Sequence, residues 1–122
     1  MIHVYWLNEE QTIIRLDYET PIASWDEYQT AIDHSCQMAK SVSHSVSFIH
    51  NPGKTAMPSG NPIDQLRRAV KKTPPNVDTV AMVITNRLAR RVVKAVMSIV
   101  RTSTRYKIVQ SVEEAESFLS GD

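Results

Sequence analysis

The sequence predicts an α/β fold: a mainly parallel sheet preceded by an N-terminal β-hairpin. Three observations predict it. Apolar residues alternate with polar ones in two runs near the N-terminus, separated only by a short polar stretch. Four later segments space their apolar residues at helical intervals. Short strand-forming runs fall between those segments, and strands that alternate with helices imply right-handed crossovers and parallel pairing.

The elements follow in chain order. Ile2, Val4 and Trp6 alternate with His3, Tyr5 and Leu7 as a strand. Asn8-Glu9-Glu10-Gln11 is a polar turn, and Thr12 to Tyr18 is a second strand with Ile14, Leu16 and Tyr18 on one face. The close spacing makes the pair an antiparallel hairpin. Ser24 stands three residues before Glu27, a capping-box spacing that starts a helix. Trp25, Tyr28, Ile32, Cys36 and Ala39 are its apolar stripe. Val46 to His50 is a short strand, and residues 51–61 are a loop rich in turn formers. Pro62 suits the first position of a second helix, whose buried side is Ile63, Leu66, Ala69 and Val70. Thr73-Pro74-Pro75-Asn76 ends that helix. Asp78 to Thr85 carries the continuous apolar run of a central parallel strand covered on both sides. Asn86 caps a third helix over residues 87–102, with Leu88, Val92, Val96, Ile99 and Val100 as its apolar side. Arg105 to Val109 is an edge strand. Ser111 and Glu114 form a second capping box, and Ala115, Phe118 and Leu119 anchor the final helix. The order is β-β-α-β-α-β-α-β-α.

The 122 residues, 42% hydrophobic and 22% charged, suit one globular domain that folds without disulfide or metal. A single cysteine, Cys36, forms no internal disulfide and suits a reducing compartment. No apolar run approaches the roughly 18–20 residues of a membrane span. The N-terminus lacks the basic region and cleavage site of a signal peptide, so a cytoplasmic location is expected. The net charge of +1 conceals a segregation. Residues 1–53 hold two basic and seven acidic residues, residues 54–107 twelve basic and two acidic, and residues 108–122 four acidic and none basic. Cations interleaved with apolar residues in this way mark a face.

Two places carry candidate chemistry. The loop 51–61 leaves the carboxyl end of a strand, where open parallel sheets bind ligands. The start of the next helix offers free N–H groups and partial positive charge to a phosphate, phosphoserine or carboxylate. Lys54, Thr55, Ser59, Gly60 and Asn61 are the candidate partner- or anion-binding residues. Asn51-Pro52-Gly53-Lys54-Thr55 imitates the end of a phosphate-binding loop, but the first glycine is missing at the required spacing. Pro58 and Pro62 forbid a helix beginning at Lys54-Thr55, which excludes a nucleotide hydrolase. The second place is a cationic face. Arg87, Arg90, Arg91, Lys94 and Arg101 fall within roughly 100° of arc on the third helix, and the second helix adds Arg67, Arg68, Lys71 and Lys72. Side by side, these helices attract acidic protein surfaces, anionic lipid headgroups or nucleic-acid phosphates. Nucleic acid is disfavoured, because no aromatic residue interleaves the basic positions to stack bases.

Nothing else reads as a catalytic, cofactor or metal site, and an enzyme is not expected. His3, His34, His44 and His50 share no metal-ligand spacing, although His3 and His50 lie on strands that can be neighbours. Cys36 falls on an apolar stripe. Asp26, Glu27, Glu113 and Glu114 complement helix dipoles. Trp6, Trp25 and Tyr28 read as core aromatics.

The element order, over nearly the whole chain, resembles the STAS family: the bacterial anti-sigma-factor antagonists and the cytoplasmic domains of sulfate transporters. In that family the helix after the third strand often begins at a serine whose phosphorylation controls partner binding. Here that stretch reads Ala56-Met57-Pro58-Ser59-Gly60-Asn61-Pro62, with Ser59-Gly60 about where the switch would be. Pro58 replaces the acidic or serine neighbour and the loop is longer, so the chain looks like a divergent member. The resemblance implies a non-enzymatic signalling module that binds a protein partner around Ser59 and the basic helices. The alternative expectation is a small-molecule or lipid-binding domain with a pocket between loop 51–61 and the first helix. The hairpin edge and the last strand are both pairing edges, which leaves a homodimer open.

Overall fold

The alternation at the N-terminus folds as it reads. β1 (Ile2–Trp6) and β2 (Ile13–Tyr18) pair antiparallel, with Ile2 opposite Tyr18 and Trp6 opposite Ile14. Asn8 closes the turn by donating from Nδ2 to Thr12 Oγ1 and accepting at Oδ1 from the Thr12 amide. The structure, a computed structural model, describes residues 1–19, 22, 24–52, 60–100 and 102–120.

The remaining elements are α1 (Trp25–Lys40), β3 (Val46–Asn51), α2 (Pro62–Lys72), β4 (Val77–Val83), α3 (Arg87–Ile99), β5 (Arg105–Val109) and α4 (Val112–Ser120). They form one five-stranded sheet in the order β1-β2-β3-β4-β5, parallel from β2 to β5. The element order and the hairpin are those expected from the sequence. β4 lies inside the sheet, and six of its seven residues are buried. That is the reason for its unbroken apolar run.

Two cores flank the sheet. On one face Leu16, Phe48, Val80 and Met82 pack against Ile32 of α1, Ala69 of α2 and Val93 of α3. On the other, Ile49, Ala81 and Val83 pack against Ala115 of α4. Strand residues alternate between the two cores, as the pleat requires.

Several local expectations need correction. Ser24 is extended at the start of α1, but its side chain makes no capping bond. Asparagines do that work elsewhere: Asn61 caps α2 and Asn86 caps α3, each accepting from two backbone amides. Ser111 Oγ does accept from the Glu114 amide, while Glu114 reaches back to the Gln110 amide, one residue further than a capping box. Ile63 is 40% exposed and Phe118 38%, so neither anchors its helix. Phe118 lies at the surface with Lys107 Nζ over its ring. α3 ends at Ile99, and its packed arc is Val93 and Val96 with Ala89 and Met97 half-buried beside them. Of the expected apolar side only Val96 is buried; Leu88 is 71% exposed and Ile99 59%. The helix carries two adjacent apolar arcs, and the core receives the one further from Arg91. His3 and His50 are not on neighbouring strands, because β2 lies between theirs.

Candidate functional site

β2 through β5 are parallel, so their carboxyl ends line one margin of the sheet. The chain leaves β3 at Asn51 on that margin, which places the departure of loop 51–61 where the sequence puts it. Lys54, Thr55 and Ser59 lie outside the described residues, as does Arg101. Gly60 has φ +125°, and a Cβ there would stand 3.2 Å from Trp25 Cδ1. Both facts call for glycine. Asn61 Oδ1 accepts from the Ile63 and Asp64 amides at 3.1 and 3.4 Å. Its side chain therefore occupies the amides that were candidates for holding an anion.

The cationic face divides into free and committed residues. Arg67, Arg68 and Lys71 on α2 and Arg87, Arg91 and Lys94 on α3 are exposed. None of them makes an ion pair among the described residues. Lys72 is different. Its Nζ pairs with Asp33 at 2.9 Å and donates to Gln29 Oε1 at 2.7 Å, so it ties α2 to α1. Gln29 Nε2 completes the tie with bonds to the backbone and side chain of Gln65. Arg90 is half-buried and folds back toward the Thr85 carbonyl. α2 touches α3, so the six free cations share one side of the molecule.

Sequence reasoning missed a second polar cluster, on the sheet face that carries α4. Asp17, near the carboxyl end of β2, accepts bonds from Tyr5, Arg15 and Asn51. Burial pushes its carboxyl up, but those donors outweigh burial and hold it below the usual carboxylate range. Arg15 also faces Glu116 at 3.6 Å. Every partner is committed to another, so the cluster fixes β1, β2 and β3 together. The alternation of β2 signals that Arg15 and Asp17 share a face; it carries no signal that β1 and β3 bring Tyr5 and Asn51 to them.

On the opposite face His50 is hydrogen-bonded to Tyr18 at 2.8 Å and packs beside the rings of Tyr18 and Tyr28. Burial pushes its pKa down to about 4 and raises that of both phenols. Burial also raises the Cys36 thiol, which is a core group as expected. Beneath α2, a cavity of about 40 Å³ is lined by residues such as His50, Leu66, Val70 and Met97. That is room for one or two waters. Among the described residues no group of three or more His, Cys, Asp or Glu can hold a metal ion. No helix there is long and apolar enough to cross a membrane.

These features define an α/β domain whose distinguishing surface is cationic and shared by two adjacent helices. No protein-family model, curated protein or solved structure matches the chain.

Proposed function

We propose that this protein is a non-enzymatic interaction module of STAS-like type that binds an acidic protein partner through α2 and α3. One observation carries the reading. Arg67, Arg68, Lys71, Arg87, Arg91 and Lys94 stand exposed on neighbouring helices without an ion-pair partner among the described residues. Uncompensated like charges repel one another and lower stability slightly, while they speed encounter with an anionic surface. A regulatory role in the cytoplasm, with Ser59 as the candidate switch residue, belongs to this proposal.

The alternative is a small-molecule or lipid pocket between loop 51–61 and α1, and residues 53–59 of that loop lie outside the described residues. The cavity beneath α2, at about 40 Å³, is well below the roughly 300 Å³ at which ligand pockets begin and lends that alternative no support, so the partner reading is preferred.

The test is quantitative affinity capture with the immobilised full chain, comparing wild type with the double variant Arg67→Glu, Arg68→Glu. Wild type is expected to enrich acidic proteins in a salt-sensitive manner, and the variant to lose most of that enrichment. Equal enrichment by both would remove the cationic face from the binding site.

A further inference from the structure

Superimposing the residue pattern of α2 on that of α3 locates an unfilled surface. Ala69 and Val96 are the buried residues by which the two helices sit on the sheet. In α2 the residues four before and three after Ala69 are Gln65 and Lys72, and both reach α1. α2 and α3 run parallel to each other, because each links two parallel strands. The same offsets from Val96 therefore face α2, and they fall on Val92 and Ile99. Leu88 lies one turn before Val92 on the same stripe.

α2 touches α3 without covering this stripe, since Leu88 is 71% and Ile99 59% exposed. The side of α2 turned away from Gln65 carries Ile63, 40% exposed, and Arg67. The two helices thus bound a trough with an apolar floor. Cations stand along both rims: Arg67 and Lys71 on α2, Arg87 and Arg91 on α3. Leu88, Val92, Ala95 and Ile99 follow at spacings of four, three and four, the repeat of a coiled-coil seam. The seam extends about 16 Å, and Ala95 leaves a gap in it for an incoming side chain.

Charge and shape select the occupant. A bilayer surface is flat and meets the rims more readily than the floor of a trough. A second copy docked by the same trough sets cation against cation. A second copy docked by α1 offers acids with polar neighbours, and α4 exposes one large apolar residue, Phe118. We propose that the trough between α2 and α3 docks an acidic amphipathic helix of a partner protein. Apolar side chains of that helix meet Leu88 and Ile99, and its carboxylates face the four rim cations. This rests on the reading of α2 and α3 as a partner-binding surface and adds the form of the partner.

The probe is a fluorescein-labelled synthetic helix of about three heptads, with Leu and Ile on one stripe and Glu beside them. A second peptide replaces each Glu by Lys. Fluorescence anisotropy with the full chain is expected to show saturable binding of the Glu peptide, weakened by salt, and none of the Lys peptide. Leu88→Ser with Ile99→Ser, at exposed positions that leave the fold intact by circular dichroism, weakens binding at least about tenfold. The inference is overturned if the Glu peptide does not bind, or if that variant binds it as wild type does. It is also overturned if anionic vesicles or self-association, seen by sedimentation, involve Leu88 and Ile99 instead. In those cases the acidic-partner reading still stands if Arg67→Glu, Arg68→Glu abolishes affinity capture. If that double variant changes neither capture nor peptide binding, the acidic-partner reading fails with it.

Discussion

Asn76 joins two neighbouring connections, α2–β4 and α1–β3, with one side chain. Its Nδ2 donates to the carbonyls of Ala39, Val42 and His44, at the end of α1 and the approach to β3. Asn76→Ala is expected to lower stability by about 1–2 kcal/mol, read as a shift in the urea midpoint. Asn76→Asp costs more, because a carboxylate then faces three carbonyl oxygens. His50 supplies a second prediction. Its pKa is about 4 in the folded chain against an ordinary 6.5. Between those values the unfolded chain binds the extra proton, so stability is fully present above about pH 6.5 and is lost as the pH falls toward 4. Urea unfolding at pH 7 and pH 5 is expected to show that loss, and His50→Phe to flatten it in this window. Neither residue was legible in the sequence. Asn76 reads there as a turn residue, and the burial of His50 depends on Tyr18 and Tyr28 arriving from separate elements.

At the scale of the element, α3 separates what periodicity can say from what packing decides. Its existence, its Asn86 cap and the exposure of Arg87, Arg91 and Lys94 are all legible in the sequence. Its rotation is not, because two apolar arcs lie side by side and only the sheet beneath selects one. The selection is measurable. Val96→Ala is expected to cost about 2 kcal/mol, whereas Leu88→Ala and Ile99→Ala stay within about 0.5 kcal/mol. Chemical denaturation of the three variants checks it. A large loss at Leu88 or Ile99 would return the helix to the orientation read from the sequence. The loss at Val96 is a cavity effect, since that residue is wholly buried. The exposed pair loses only surface.

Across the whole molecule the charge segregation written along the chain becomes a segregation in space. The basic stretch folds into α2, α3 and the strands β4 and β5, and the acid-rich ends fold around it. The element order, the mainly parallel sheet and the hairpin were legible because parallel crossovers leave few alternatives; the neighbours of each strand were not, as the separation of His3 from His50 by β2 shows. The proposed trough was not legible, because it would arise between two helices and no single segment contains it. Loop 51–61 departs from the expected margin, and its cap residue Asn61 is spent on α2. The proposed binding surface is therefore placed on the helices.

An amide-resolved NMR titration of the full chain with the Glu-bearing helix tests that surface most directly. Shift changes are expected to concentrate in residues 62–72 and 87–99, and to collapse in high salt. Changes centred on α1, on α4 or on the Tyr5–Asp17 cluster, with α2 and α3 unmoved, would contradict it.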